Sequence, residues 1–224
     1  MRHDRTVREG LTPLYNNVSK QCYGSRVKTV DSADMGRPRH YDEALRRRLI
    51  DECSQVISAR GTEGVSLRSL AARAHTTTAA VYALFGSRGA LLQAVTDEAF
   101  ARFGGYLDQV RPSDDAQQDL LDLGMAYRRS AMAEPHFYRV MFSSPGAPPT
   151  HADSLAEPTF DTLRHAVARI LPAATAQHIE LEAVRLWGLV HGLVSLELSG
   201  LLPGTAHERE ERYRRMLSMH PVSD

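Results

Sequence analysis

The stretch of residues 66–92, SLRSLAARAHTTTAAVYALFGSRGALL, decides the fold of this 224-residue chain. Ser66 is a favourable N-cap residue for a helix. After it, apolar residues follow the i, i+3, i+4, i+7 spacing of a single helical face: Leu67, Leu70, Ala71 and Ala74. The period breaks after Ala74, so the pattern predicts a short helix that ends in a turn.

A second helix follows within the same stretch. Thr77 offers another N-cap, and Val81, Leu84 and Phe85 form an inward apolar face. The predicted helix is too short to be stable alone, so the helix before it must hold it in place. Ser87 then caps a third helix. This arrangement is typical of a helix-turn-helix, whose second helix enters the major groove of DNA.

The same residues resemble the DNA-binding domain of TetR-family transcriptional regulators. The matching positions, in chain order, are Ser66, Leu70, Ala71, Ala74, Thr77, Ala79, Val81, Tyr82, Phe85, Ser87, Arg88 and Leu91. The resemblance implies an all-α fold, with a three-helix N-terminal helix-turn-helix domain and a larger C-terminal helical domain for ligand binding and dimerisation. An ordinary helical hairpin is the alternative interpretation, but it leaves the arginines, threonines and tyrosine of this stretch without a shared purpose.

The resemblance also implies which side chains meet DNA. Thr78 and Ala80, with Thr76 nearby, are the candidates for base contacts, whereas Tyr82 and Arg88 are placed for phosphates. The complete set of predicted DNA-binding residues is Arg37, Arg39, Ser66, Arg68, Thr76, Thr77, Thr78, Ala80, Tyr82 and Arg88. The small side chains of Ala71 and Ala79 are expected to let the two helices approach closely.

Two residues depart from the family pattern. His75 stands in the turn, where the family usually has a glycine because the backbone often takes a positive φ there. A histidine adopts that conformation at a cost of about 1 kcal/mol. Leu84 precedes Phe85, where the family often has histidine or tyrosine.

Charge is distributed unevenly, although the net charge is zero. Residues 37–95 carry nine arginines against five acidic residues, whereas residues 96–224 carry twelve arginines against eighteen acidic residues. A basic front and an acidic back are typical of a protein that presents one face to phosphates. Just before the first helix, Arg37 and Arg39 flank Pro38 in an extended arm, which either lies in a minor groove or is a frayed terminus.

Residues 1–34 differ in composition from the rest, since they contain both lysines and both asparagines of the chain. They are either a disordered basic extension or a mis-assigned start before Met35. We expect a helix-turn-helix domain at residues 35–93 and a ligand-binding and dimerisation domain at residues 94–224. The predicted helices cover residues 42–60 and 87–107, begin again at Pro112 and Pro135, and then span 154–171, 176–201 and 206–218. Residues 144–149 form the clearest loop.

The segment of residues 186–198, LWGLVHGLVSLEL, is apolar nearly all round. Because His191 and Glu197 argue against a membrane span, we expect a buried helix that also packs on a second subunit, together with residues 206–218. The pattern Trp-Gly-x-x-His-Gly resembles one C-terminal subclass of the same family. An apolar ligand is expected between the helices, near some of a small set of aromatic and polar side chains: Tyr127, Tyr138, Phe142, Trp187 and His191.

Other chemistry finds little support in the sequence. The 10 histidines show no i, i+4 pair, Cys22 and Cys53 form no metal-ligand spacing or disulfide framework, and no catalytic motif occurs. We therefore expect no enzyme activity, no metal and no cofactor. The predicted function is a cytoplasmic, homodimeric DNA-binding regulator that an unidentified small-molecule effector releases from a pseudo-palindromic double-stranded operator, with no membrane association. The alternative is an all-α binding protein or enzyme whose head domain makes protein contacts.

Overall fold

Nine α-helices and one short 3₁₀ turn make up all the regular structure of the described residues. The computed structural model describes residues 39–143, 156–219 and 222, and side chains within 43–142, 158–219 and at 222. The elements are α1 (Arg39–Arg60), the 3₁₀ turn (Thr62–Gly64), α2 (Leu67–Arg73), α3 (Thr78–Phe85), α4 (Arg88–Leu107), α5 (Ala116–Ala133), α6 (Pro135–Ser143), α7 (Ala156–Ile170), α8 (Ala176–Leu198) and α9 (Ala206–Ser218). The all-α prediction is confirmed.

We define the head as α1–α3 and the first half of α4. The three predicted N-caps in the head are confirmed. The hydroxyl oxygens of Ser66, Thr77 and Ser87 each accept a hydrogen bond from the backbone N–H three residues later. The donor–acceptor distances are 3.5, 3.2 and 3.0 Å, respectively. Each cap satisfies a backbone donor that the first helical turn leaves unpaired. The starts of α2, α3 and α4 are therefore determined locally.

The turn between α2 and α3 has the predicted left-handed backbone. His75 lies at φ 53° and is the one non-glycine residue with positive φ among the described residues. Its N–H donates to the carbonyl oxygen of Ala72, and the N–H of Thr76 donates to that of Ala71. The turn thus keeps the geometry that a glycine would supply, at the conformational cost that a β-carbon carries there.

One apolar core holds the head together and extends beyond it. Leu49, Leu70, Val81 and Leu91 are each at most 2% exposed and lie in the same cluster. Two residues of α6, Phe137 and Val140, belong to this cluster as well. The predicted domain boundary near residue 94 assigns α6 to the C-terminal domain. The apolar periodicity of α6 does not indicate that this helix shares a core with the head. The predicted domain boundary near residue 94 stays a prediction, and α4 runs straight through it.

Arg102 of α4 joins the head to the helices that follow. Its guanidinium donates to Asp51 of α1 and to Glu98 at 2.8 Å each, and to Glu134 at 3.5 Å. The same guanidinium lies 4.1 Å from the centre of the Phe137 ring. One cation therefore contacts α1, α4, α6 and the residue between α5 and α6.

The start of α5 differs from its prediction at Pro112. The helix begins at Ala116, where the carboxylate of Asp115 caps it by accepting from the N–H of Gln118. Ser113 instead donates its hydroxyl and its N–H to Asp119, at 2.7 and 2.8 Å. These hydrogen bonds, with one from Arg169, lower the pKa of Asp119 to about 2. The end of α8 also differs from its prediction. The helix ends at Leu198 rather than at residue 201, and Gly200 follows with a φ of 70°.

A second apolar core lies between α4, α5, α6, α8 and α9, and a buried ion pair crosses it. The Arg128 and Glu197 side chains are 6% and 4% exposed, and two hydrogen bonds of 2.8 Å join them. Arg209 also donates to Glu197 at 3.1 Å, and Arg128 to the half-exposed Glu210 at 3.1 Å. Burial acts to raise the pKa of Glu197, but the hydrogen bonds from Arg128 and Arg209 outweigh it and lower the pKa.

One face of α8 is apolar and exposed in the single chain. Leu181, Val184 and Trp187 are 62%, 50% and 40% exposed, and they recur every three residues along the helix. Within the described part of the chain, no helix is long and apolar enough to cross a bilayer. The prediction of an extended arm is wrong at Arg39, because α1 begins at this residue. The predicted extension at residues 1–34, Arg37, the side chain of Arg39 and the loop at 144–149 lie outside the described residues.

Candidate nucleic-acid interface and apolar cavity

Helix α3 has one buried face and one exposed face. Val81 is 1% exposed, and Leu84 and Phe85 pack against the same head core. Residues 79, 82 and 83 lie on the opposite side and are exposed, with Tyr82 at 54%. Because residues three and four apart share a face of a helix, these three form one outward surface.

The predicted base-contact residues lie at the sides of this surface rather than at its centre. Thr78 and Ala80 are half-buried, and Thr76 is half-buried in the turn. Ala71 is 2% exposed and lies in the head core, where the small side chain was expected. The same prediction for Ala79 is wrong, because its side chain is exposed rather than packed between helices.

Ala79 and Ala83 belong to the exposed surface of α3 but are not among the predicted DNA-binding residues. A 100° rotation per residue places both of them opposite Val81, Leu84 and Phe85. That signal was present in the sequence.

The arginines of the head differ in what they contact. Arg68 is exposed on the first turn of α2. Arg73 donates to Glu52 at 2.7 Å and to Gln55 at 3.2 Å, both on α1. Arg88 donates from Nε to the carbonyl oxygen of Val65 at 3.2 Å and from Nη2 to that of Thr62. Arg88 therefore holds the chain between α1 and α2 in addition to any phosphate contact, which stays a prediction.

We expect Arg88→Ala to reduce the free energy of unfolding by about 1–3 kcal/mol, because it removes two hydrogen bonds from a charged donor. The carbonyl of Val65 loses its arginine partner, whereas that of Thr62 still accepts the N–H of Val65. Urea denaturation of the two proteins measures the difference. Arg68→Ala is the matched control, because Arg68 is exposed, and it should change stability by less than about 0.5 kcal/mol. Equal stability of Arg88→Ala and wild type would show that the two backbone contacts are not formed.

An apolar cavity of about 500 Å³ lies between the helices that follow the head. Its walls come from the second half of α4 and from α5, α6, α7, α8 and α9. The main apolar contributors are Phe100, Phe103, Leu107, Leu120, Leu121, Phe142, Phe160, Leu163, Leu186, Trp187 and Val190. This volume and lining suit a small organic molecule.

The predicted pocket residues form one connected cluster at this cavity. Tyr127, Phe142 and Trp187 line it, whereas Tyr138 and His191 lie directly behind them. The Phe142 ring centre is 4.3 Å from that of His191 and 5.0 Å from that of Tyr138. The structure thus brings all of these residues together, and their contact with a ligand stays a prediction.

A buried hydrogen-bond network joins three of these side chains. The Tyr138 hydroxyl lies 2.9 Å from His191 Nδ1, and the Tyr127 hydroxyl lies 3.3 Å from both groups. Burial raises the pKa of both tyrosines, chiefly by removing water from the phenolate form. Burial also lowers the pKa of His191. All three groups are therefore neutral at physiological pH.

No cluster of three or more histidine, cysteine, aspartate or glutamate side chains suited to a metal occurs among the described residues. Cys53 is buried in the head core, and burial raises the pKa of its thiol to about 12. This thiol is therefore a packing residue and not a nucleophile.

Comparisons with known proteins match both parts of this architecture. Residues 49–95 match the model of bacterial regulatory proteins of the tetR family, and residues 120–220 match that of the tetracyclin repressor-like C-terminal domain. A search of curated proteins gave no significant match.

Solved structures show the same fold. A TetR-like transcriptional regulator from Rhodococcus sp. RHA1 is 20% identical, with 82% of this chain and 97% of that chain covered and a TM-score of 0.63. The TetR-family transcriptional regulator PfmR from Thermus thermophilus is 17% identical, with 77% and 96% covered and a TM-score of 0.62. The capped helix-turn-helix and the two matched models lead to one conclusion: the chain belongs to the TetR family of DNA-binding transcriptional regulators.

Proposed function

We propose that the protein is a homodimeric repressor that a small, largely apolar ligand releases from a pseudo-palindromic DNA operator. The observation that carries this proposal is the path of α4. Its N-terminus is capped by Ser87 beside the recognition helix α3, and its second half forms a wall of the cavity through Phe100, Phe103 and Leu107. One helix thus contacts both candidate sites.

The regulatory step requires two conformations with different affinities for the ligand. A ligand that binds both equally cannot change DNA affinity, however tightly it binds. Helix α6 offers a second connection, since Tyr138 lies behind the cavity while Phe137 and Val140 pack in the head core. A ligand that moves α4 or α6 would therefore change the position of the head.

The proposed dimer uses the exposed apolar face of α8, with α9 beside it. Two-fold symmetry would place two recognition helices about 34 Å apart, or a multiple of that distance, which implies an inverted repeat in the DNA.

We also propose that the protein has no catalytic activity and that it acts in the cytoplasm, where the DNA is. Residues 35–93 and 94–224 are proposed as its DNA-binding and effector domains.

Val184→Glu is expected to convert the dimer into a monomer, because it would bury a charge in the proposed apolar interface. Sedimentation velocity at micromolar concentration measures the change. Ala101→Glu, which adds the same charge at an exposed position of α4, should leave the dimer intact. A wild-type protein that sediments as a stable monomer would contradict the proposal.

Reciprocal binding tests the regulatory part. Compounds that raise the melting temperature are titrated against a complex of the protein with its selected DNA site. The proposal predicts that each such compound weakens DNA binding and that DNA weakens compound binding by the same factor. A compound that binds the protein, as calorimetry shows, and leaves DNA affinity unchanged would contradict it.

A further inference from the structure

Helix α6 is bound to the head along one side. Its Phe137 and Val140 side chains belong to the head core. The guanidinium of Arg102 lies over the Phe137 ring, 4.1 Å from its centre. The His136 Nδ1 atom lies 3.2 Å from the hydroxyl oxygen of Ser58 on α1. Because protein cores are close-packed and resist local deformation, a displacement of α6 is expected to move the head with it.

Another side of α6 meets α8 through a short hydrogen bond. Tyr138 is 4% exposed, and its hydroxyl oxygen lies 2.9 Å from His191 Nδ1. The Phe142 ring also packs against this imidazole. A second hydrogen bond, from Arg139 to the carbonyl oxygen of Leu198, is longer, at 3.4 Å. Of these two hydrogen bonds, the one between Tyr138 and His191 is therefore the stronger.

The donors and acceptors around His191 form a complete series. The indole N–H of Trp187, which can only donate, bonds the hydroxyl of Tyr127. In a consistent assignment, the Tyr127 hydroxyl donates to that of Tyr138, 3.3 Å away, and Tyr138 donates to His191 Nδ1. The imidazole Nε2 then carries the proton and faces the hydroxyl oxygen of Ser195 at 3.5 Å. Each donor meets an acceptor only while Tyr138 keeps its position against α8.

Two-fold symmetry makes the position of α6 on α8 important for DNA binding. In the proposed dimer, α8 packs against its symmetry mate, so its distance from the axis is fixed. The separation of the two heads then depends on how each α6 is held against its own α8. An inverted repeat offers two half-sites at one spacing, and both heads bind it only when their separation matches that spacing.

We infer that His191 is a positioning residue for DNA binding, because it holds Tyr138, and through it α6 and the head, against the dimer helix α8. Neither side chain belongs to the head, so both act without touching DNA. The inference rests on the proposed function only in taking α8 as the dimer helix. Loss of the hydrogen bond leaves a buried polar group without its partner and spreads the heads over more positions, few of which match the DNA site.

Two DNA duplexes that differ in half-site spacing separate this role from a general loss of binding. One is the inverted repeat that the full-length wild-type protein selects from a random pool, and the other has one extra base pair between its half-sites. The extra base pair moves the half-sites apart by about 3.4 Å and rotates them by about 35°. Fluorescence anisotropy gives the ratio of the two affinities, which is the spacing preference. Tyr138→Phe and His191→Leu should each lower this preference by about threefold to tenfold.

A double variant and a conservative variant test whether the hydrogen bond itself is responsible. Tyr138→Phe combined with His191→Leu should lower the spacing preference no further than the more severe single variant, because both changes remove the same bond. His191→Asn keeps an acceptor oxygen near the position of Nδ1 and should lose less than His191→Leu. Tyr106→Phe on α4 is the matched control, because Tyr106 lies outside this network, and it should leave the preference unchanged.

Circular dichroism and sedimentation velocity check that each variant is folded and dimeric. A folded, dimeric Tyr138→Phe protein with the wild-type spacing preference would overturn the inference alone, and so would additive losses in the double variant. An equal loss of affinity for both duplexes leaves the preference unchanged and has the same meaning. A wild-type protein that is monomeric or selects no inverted repeat would overturn the inference together with the proposed function.

Discussion

Ala79→Glu is expected to lower the affinity of the protein for its DNA site by more than about a hundredfold. The side chain lies at the centre of the exposed face of α3, opposite the buried Val81. A carboxylate there would face the phosphates and base edges of the groove, and like charges in contact cost several kcal/mol. Fluorescence anisotropy with a labelled duplex measures the change.

Unfolding of the Ala79→Glu variant should not account for its loss of DNA affinity. Glutamate is a good helix former, and Ala79 is exposed, so the free energy of unfolding should change by less than about 0.5 kcal/mol. Ala101→Glu is the control for added charge, since Ala101 is exposed on α4, about 20 Å along the axis from its first residue. If Ala79→Glu and Ala101→Glu lowered DNA affinity equally, α3 would not be the recognition helix.

Glu197→Ala is expected to reduce the free energy of unfolding by about 3–5 kcal/mol, because it leaves the buried Arg128 without its main partner. Arg128 would retain only the half-exposed Glu210, and Arg209 would also lose a contact. The chain offers a contrasting pair in Glu182 and Arg185, which lie on the surface of the same helix.

Urea denaturation of Glu197→Ala and Glu182→Ala compares the contribution of a buried ion pair to stability with that of a surface ion pair. Glu182→Ala should cost less than about 1 kcal/mol, since exposed ion pairs contribute little. Glu197→Gln keeps the size of the side chain and should still lose most of the stabilisation. A cost for Glu197→Ala no greater than that for Glu182→Ala would show that the interior pair is hydrated in solution.

Features that depend on a few neighbouring residues could be predicted from the sequence. The caps at Ser66, Thr77 and Ser87 need only a side-chain oxygen and a backbone N–H three residues later. The left-handed turn at His75 was implied only by the family resemblance, in which a glycine usually stands at this position.

Tyr127 and Tyr138 could also be predicted as inward residues, because they lie on the apolar faces of their helices and are buried. Phe142 and Trp187 do not follow this rule, since both remain partly exposed.

Features that depend on distant partners could not be predicted. The packing of Phe137 and Val140 against the head joins residues far apart in the chain, and the periodicity of α6 predicts only that it has an apolar face. The contacts of Arg88 with two carbonyls likewise depend on how α4 docks on the α1–α2 connection. Ser113 failed to start α5 because Asp119 binds it and Asp115 caps the helix instead.

Selection of duplexes from a random DNA pool tests the central claim most directly, with wild type, Ala79→Glu and Ala101→Glu compared in parallel. Wild type and Ala101→Glu should enrich an inverted repeat whose half-site centres lie about 10 base pairs apart or a multiple of that spacing. Ala79→Glu should enrich nothing. Enrichment of the same sequence by Ala79→Glu, or of no sequence by wild type, would contradict the assignment of α3 as the helix that recognises DNA.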